Sequence, residues 1–202
     1  MPPSPRDPAR AEFRDEDWDG REFARVTHEH TRFTDTNMTG ARVSSSTFDT
    51  CHFANVAFNA AVLQSSAFSH CTFVRCSFFD TAFDDCRVFG ATFDRCTFTT
   101  MKVSGGDWSF SSLIKADLRG TSFVGVRLRE ADLTQVRLER ASVRDCDLSG
   151  ALLVGANLTE CDLRGSSLGT VDPTELSLRG AVITWQQAVE LATGLGLDVR
   201  AD

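Results

Sequence analysis

The sequence has no tyrosine, no long hydrophobic run, and almost no proline outside its first residues. Four of its five prolines fall within residues 1–10, so we expect that segment to be a flexible N-terminal tail. The segment also lacks the apolar centre of a secretory signal. No stretch is long and apolar enough to span a bilayer. These absences favour a cytoplasmic protein without membrane contact.

Positive charge is also scarce. The 21 Lys and Arg residues against 28 Asp and Glu residues give a net charge of −7. Proteins that bind the phosphate backbone of nucleic acids usually carry a basic surface. The negative net charge therefore disfavours direct nucleic-acid binding. The chain has neither a phosphate-binding glycine motif nor a nucleophile elbow. We therefore expect no enzymatic activity and no cofactor.

A period of five residues dominates the chain instead. From Phe13 to Ile183, residues whose numbers end in 3 or 8 are apolar, with His28 and Pro173 as the exceptions. Two positions earlier stands a mostly small side chain, and all seven cysteines occupy that position. This period fits neither an α-helix nor a flat strand. It fits a chain that turns a corner once per repeat, with two inward side chains on each side.

Four such sides close a square coil of 20 residues, and the coils stack at about 4.8 Å. The span from Phe13 to Ile183 holds 171 residues, and 171/20 predicts eight to nine coils. Residues 20 apart then stack, as Cys51 stacks on Cys71. We interpret the cysteines as small hydrophobic core residues rather than as disulfides or zinc ligands. His28 points inward and His30 outward, so these two do not form a metal site.

Two places depart from the repeat. At Gly106 and Trp108 the small position is glycine and the large one tryptophan, and we interpret the missing Cβ as making room for the indole ring. Pro173 occupies an inward position, where it cannot donate a ladder hydrogen bond. The last coil is therefore predicted to be irregular.

After Ile183 the period changes. Thr184 and Gln187 have the spacing of a capping box, which predicts a helix that ends near Gly194 and Gly196. Residues 184–202 are thus predicted to form a helix and tail over the open end of the rod, either as a simple cap or as a dimer interface about a two-fold axis. The residues expected at such an interface are Leu178, Ile183, Trp185, Val189, Ala192, Leu195 and Leu197.

The motif of a small residue, a polar residue and Leu or Phe, as in Ala131-Asp132-Leu133, resembles the pentapeptide-repeat family. This resemblance implies an all-β solenoid, a right-handed quadrilateral β-helix over residues 11–183. The elements Val171-Asp172-Pro173 and Gln187-Ala188-Val189 are similar to those of the MfpA branch of fluoroquinolone-resistance proteins, and more distantly of the Qnr branch. Unlike the Qnr proteins, this sequence has no insertion that could form projecting loops.

The resemblance implies a homodimeric rod that copies the shape and charge of B-form DNA and binds DNA gyrase, a type II topoisomerase. Such a protein gives resistance or self-resistance to antibiotics such as fluoroquinolones. The alternative is a non-enzymatic interaction scaffold with a different partner, on which the acidic residues only keep the rod soluble. The acidic residues expected to bind the partner are Asp80, Asp84, Asp85, Asp94, Asp107, Asp117, Asp132, Asp147 and Asp162.

Overall fold

The structure, a computed structural model, describes residues 11–168 and 171–200. The predicted tail at residues 1–10 lies outside the described residues. The described chain forms short parallel strands and one helix, α1 (Trp185–Gly194). The strands are β1 (Glu12–Arg14), β2 (Glu22–Ala24), β3 (Thr27–Glu29), β4 (Arg32–Thr34), β5 (Arg42–Ser44), β6 (Thr47–Asp49), β7 (His52–Ala54), β8 (Val62–Gln64), β9 (Ala67–Ser69), β10 (Thr72–Val74), β11 (Ala82–Asp84), β12 (Thr92–Asp94), β13 (Lys102–Ser104), β14 (Ser122–Val124) and β15 (Ser142–Arg144).

The strands line the faces of a four-sided solenoid. Face 1 contains the sheet β1-β4-β7-β10-β12, face 3 the seven-stranded sheet β2-β5-β8-β11-β13-β14-β15, and face 4 the sheet β3-β6-β9. Face 2 has no regular strand among the described residues, and single parallel bridges such as Asp17 to Asn37 hold its coils together. Every pairing joins residues 20 apart, as Phe33 with Phe53. The predicted right-handed quadrilateral β-helix is confirmed.

The regular strands of face 3 make about seven turns rather than the expected eight to nine. Isolated parallel bridges continue the same ladder from Ser142 to Asp162 and from Asp162 to Val182. On face 1 the bridges of the described residues end at Leu152, one coil before Pro173. This agrees with the irregular last coil that the missing N–H of proline predicts.

The corners explain the period of five. Every residue whose number is a multiple of five, from Asp15 to Gly165, has a left-handed φ. Outside glycine this conformation costs roughly 1–2 kcal/mol per residue. The corner amide still donates to the next coil, as the N–H of Asp35 does to the carbonyl oxygen of Ala54 at 2.9 Å. The ladder therefore holds each corner in a conformation that the isolated peptide would avoid.

Stacked side chains fill the axis. On face 1, Phe33, Phe53, Phe73 and Phe93 stack with ring centroids 4.7, 4.9 and 4.8 Å apart and nearly parallel planes. Leucines continue the column from Leu113, which is completely buried. Each buried Phe or Leu contributes on the order of 1.5–3 kcal/mol. The predicted inward columns are thus the hydrophobic core.

The reason expected for Gly106 is wrong. A Cβ on Gly106 would lie 2.1 Å from the carbonyl oxygen of Cys86, and all its nearest atoms belong to the Cys86 backbone rather than to Trp108. Glycine is required because two coils approach closely here. Trp108 is completely buried and stacks on Phe93 at a centroid distance of 5.7 Å.

The C-terminal helix begins as expected. Both hydrogen bonds of the capping box between Thr184 and Gln187 are present, and α1 ends at Gly194. Helix α1 has ten residues, and within the described chain no helix is long and apolar enough to cross a membrane. The division into segments 11–183 and 184–202 remains a proposal, although the first described strand and α1 begin close to those bounds.

Candidate interaction surfaces

Two of the histidines contact aromatic or acidic side chains. His28 lies in the inward column of face 4, where its ring stacks on Phe48 at a centroid distance of 5.4 Å. Burial lowers the pKa of His28. On the surface, Nδ1 of His70 lies 3.3 Å from a carboxylate oxygen of Asp49. Within residues 11–168 and 171–200, no group of three or more His, Cys, Asp or Glu side chains could hold a metal ion.

The seven cysteines are free thiols in the wall of the solenoid, and all except the half-buried Cys96 are buried. The Cys86 thiol donates to the carbonyl oxygen of Leu63 at 3.2 Å, which ties one coil to the previous one. Burial raises the pKa of Cys86 to about 11 and that of Cys161 to about 12. Thiols that remain protonated near neutral pH are poor nucleophiles, so these two act as packing residues.

The nine acidic residues expected to bind a partner do not share one face. Residues 20 apart lie on the same face, so each position follows from the residue number. Face 1 holds Asp94 and Asp132, face 2 Asp117, face 3 Asp84 and Asp162, and face 4 Asp107 and Asp147. Asp80 and Asp85 form the two corners of face 3 beside Asp84. Among the nine, only these three adjoin the same face within one coil.

Cations compensate most of these carboxylates. Those with an Arg or Lys nitrogen at 2.6–3.6 Å are Asp80, Asp94, Asp117, Asp147 and Asp162. Asp117 accepts hydrogen bonds from Nε and Nη2 of Arg119 at 2.8 and 2.6 Å, and these bonds lower the pKa of Asp117. Such exposed pairs contribute roughly 0–1 kcal/mol each to stability. They do, however, cancel outward negative charge.

Several exposed carboxylates lie outside the ion pairs of the described residues. In the described part of the chain, no Arg or Lys nitrogen forms an ion pair with Asp84 or Asp85, and the carboxylate of Asp84 accepts only from Nε2 of Gln64 at 3.3 Å. Five further carboxylates near the N-terminus also lie outside the ion pairs of the described residues. They were not among the predicted partner-binding residues, although the sequence there is rich in Asp and Glu. These five are Asp15, Glu16, Asp17, Asp19 and Glu22, all of them exposed.

Gln187 joins α1 to the last coils. Its side chain is 4% exposed, and its Oε1 accepts the N–H of Thr184 at 2.7 Å. Its Nε2 donates to the carbonyl oxygens of Leu163 and Ser166 at 2.6 and 2.7 Å. One carboxamide therefore caps the start of the helix and donates to two carbonyls at the end of the solenoid. The capping-box spacing predicted the first role, and nothing in the spacing indicated the second.

The predicted dimer residues divide into two groups. Leu178 and Ile183 pack partly buried against the core, and Ala192 is half-buried. The others present apolar surface to solvent, which is unusual for so short a segment. Their exposed fractions are 74% for Trp185, 37% for Val189, 54% for Leu195 and 59% for Leu197. The inward side of α1 includes Gln187, which is buried, and Leu191, which packs partly buried against the core.

Comparison with protein families gives two overlapping matches. A profile described as a pentapeptide repeat region matches residues 46–123. A second profile, described as pentapeptide repeats in eight copies, matches residues 111–150 and 131–169. Among the curated proteins that were compared, none matches the sequence.

Several solved structures have the same fold. A trypsin-treated variant of QnrB1, described as a plasmid-mediated fluoroquinolone resistance protein, is 20% identical, with a TM-score of 0.76 over 95% of this chain and 98% of the other. A second trypsin-treated variant is 22% identical, with a TM-score of 0.65 over the same shares. HetL, a pentapeptide repeat protein involved in heterocyst differentiation regulation in the cyanobacterium Nostoc sp. strain PCC 7120, is 16% identical, with a TM-score of 0.59 over 86% of this chain and 90% of the other.

Proposed function

Because the chain belongs to the pentapeptide-repeat family, whose profiles span residues 46–169, we propose that it is a non-enzymatic DNA mimic that binds DNA gyrase. Binding modulates the topoisomerase and gives resistance or self-resistance to antibiotics such as fluoroquinolones. The site of action is the cytoplasm, and the protein binds its partner directly, without nucleic acid between them.

The unbroken rod supports this proposal. The stacked rings of Phe33, Phe53 and Phe73 lie 4.7 and 4.9 Å apart, which is close to the strand spacing of the β ladder. Outward side chains therefore repeat once per coil, without projecting loops. The fold likeness to QnrB1 extends over 95% of the chain. The similarity of the C-terminal elements to those of the MfpA branch supports gyrase as the partner.

The observation that carries the proposal is the uncompensated acidic surface of the first coils. Asp15, Asp17 and Asp19 are exposed and lie outside every ion pair of the described residues. Duplex DNA carries about one charge per 1.7 Å of axis, so only surfaces whose carboxylates stay unpaired approach its field. We therefore place the mimicking surface at the N-terminal coils, rather than on the mid-rod carboxylates that arginines neutralise.

The exposed side of α1 is proposed as the dimer interface. Trp185 and Val189 are one helical turn apart and both face solvent. Two copies that join these sides about a two-fold axis make one rod of double length. Light scattering should give twice 22.2 kDa for the native protein, and Trp185→Glu should reduce the mass to that of one chain.

A supercoiling assay with purified gyrase tests the main proposal. We expect inhibition at micromolar protein and a changed yield of fluoroquinolone-stabilised cleavage. Asp17→Lys with Asp19→Lys should relieve the inhibition. The same charge change on face 1, through Asp94→Lys with Asp132→Lys, is the matched control and should retain it. Unchanged supercoiling and unchanged cleavage with the native protein would refute the proposal.

The alternative function is an interaction scaffold with another partner. The ion pairs that neutralise five of the nine candidate carboxylates favour it, since a surface of paired charges does not reproduce the uniform negative charge of DNA. Stoichiometric capture of a protein other than a topoisomerase, together with no effect on gyrase, would establish this alternative.

A further inference from the structure

Three of the 16 phenylalanines break the inward rule of the repeat. The other thirteen stand at positions that end in 3 or 8, whereas Phe79, Phe89 and Phe110 stand outside that column. Two of the three contact each other, since the rings of Phe89 and Phe110 are 5.1 Å apart at an interplanar angle of 61°. Phe79 lies alone on face 2, where it is 52% exposed.

Two further side chains complete a cluster around Phe89. The guanidinium carbon of Arg87 lies 4.8 Å from the centre of the Phe89 ring, and the His70 ring meets it edge-on at 5.8 Å. Gly90 makes room for the imidazole, because a Cβ there would lie 3.0 Å from Cδ2 of His70. We call His70, Arg87, Phe89 and Phe110 the aromatic corner.

Phe110 is an unusual residue for a corner of the solenoid. Its φ is +59°, and it is the one phenylalanine in the left-handed region within the described chain. A bulky side chain in that region is strained, whereas glycine, Asn or Asp would be tolerated. Its ring is nevertheless 49% exposed, so burial in the monomer offsets little of the cost. The other corners share this left-handed φ, so the distinguishing feature of Phe110 is a large apolar ring that stays half exposed at a corner.

The surrounding charges indicate the chemistry of the partner. Arg87 and its neighbour two coils on, Arg127, form no ion pair among the described residues. Asp107 lies between them but accepts hydrogen bonds from the N–H and hydroxyl of Ser109, at 3.1 and 2.6 Å. Aromatic rings beside unpaired arginines are the composition that dominates binding energy at protein interfaces.

We propose that the aromatic corner docks into an apolar groove rimmed by carboxylates on the protein partner. Phe110 projects from a convex edge of the rod and fills the groove, while Arg87 and Arg127 pair with its acidic rim. This inference rests on the proposed function, since the partner is taken to be gyrase. It adds a second contact, of opposite charge, to the acidic coils at the N-terminus.

The test is the affinity for purified gyrase, measured by calorimetry with the full-length chain. Phe110→Ala and Arg87→Glu should each weaken binding at least about 10-fold. Phe79→Ala is the matched control, because its ring is equally exposed on another face, and it should stay within about twofold of the native Kd. Phe110→Ala should change the melting temperature little, because the ring is half exposed and alanine keeps a Cβ at the same left-handed φ.

The outcomes separate this inference from the proposed function. If native protein binds gyrase and Phe110→Ala and Arg87→Glu bind equally well, the aromatic corner is not the docking surface, while the proposed function stands. If native protein does not bind gyrase, both are refuted. Two other occupants would also overturn the inference. Loss of the dimer mass in Phe110→Ala would identify a second copy, and loss of binding to a labelled single-stranded oligonucleotide would identify nucleic acid.

Discussion

Replacement of Gln187 by glutamate should detach the C-terminal helix without unfolding the rod. The carboxamide donates to the carbonyl oxygens of Leu163 and Ser166 at 2.6 and 2.7 Å. A carboxylate cannot donate either bond, and it would place negative charge beside two carbonyl oxygens at a site that is 4% exposed. The change is nearly isosteric, so its effect reports hydrogen bonding rather than packing.

The magnitude follows from the two lost bonds. Each is worth about 1 kcal/mol net, and the buried Ser166 carbonyl, left without a donor, costs about 1–3 kcal/mol more. The Leu163 carbonyl keeps the N–H of Ser166 at 3.1 Å. We therefore expect a loss of about 3–5 kcal/mol in the local stability of α1 and the last coil. Stability in a solenoid is approximately a sum of coil and neighbour contributions, so the first coils should be unaffected.

Hydrogen exchange resolves this pattern along the chain. Amides of residues 184–197 should lose protection in Gln187→Glu, while those of residues 33–73 should match the native protein. Gln186→Glu is the control, because it makes the same chemical change at an exposed neighbour. Acid should partly restore the variant, since the protonated carboxyl regains one donor. Equal exchange in the two variants would refute the role given to Gln187.

Two further changes have calculable effects. Gly106→Ala should lower the free energy of unfolding by about 3 kcal/mol or more, because its Cβ would lie 2.1 Å from the Cys86 carbonyl oxygen at a left-handed φ. The control Gly120→Ala has no atom within 4 Å of its Cβ and should cost about 1 kcal/mol. Equal melting temperatures of the two variants would contradict this reasoning. The hydrogen bonds from Arg164 lower the pKa of Asp162. The ionised Asp162 therefore stabilises the fold above about pH 4, and this effect is lost as the pH falls through the lowered pKa. In Asp162→Asn the melting temperature should depend less on pH in that range, and an unchanged acid profile would contradict this role of Asp162.

The period of five made most of the fold predictable. It identified the inward columns, the square cross-section and the helix that begins at Thr184, because each of these depends on residue type at a fixed spacing. The reason that residue 106 must be glycine was not predictable from its neighbours in sequence, because a side chain there would clash with Cys86, one coil away. The distribution of the acidic residues was predictable in principle from residue numbers modulo 20.

Whether a carboxylate is free was not predictable, because it depends on how arginine side chains reach across coils. Asp117 illustrates this, since Arg119 is two residues away but Arg137, on the next coil, also lies 3.4 Å from it. The aromatic corner gave a weak signal in the sequence, as two phenylalanines outside their column. Their mutual contact depends on the left-handed turn at Phe110.

The left-handed corners have a consequence for how such a chain changes length. Each coil is closed by its own four turns and is in register with its neighbours, as the pairs Phe33 with Phe53 and Phe53 with Phe73 show. A duplication or deletion of 20 residues therefore preserves every stack and moves the ends by one step of about 4.8 Å. A change of any other size turns inward residues outward or rotates one half against the other. Evolution can therefore adjust the distance between the two ends of the rod only in whole steps of one coil.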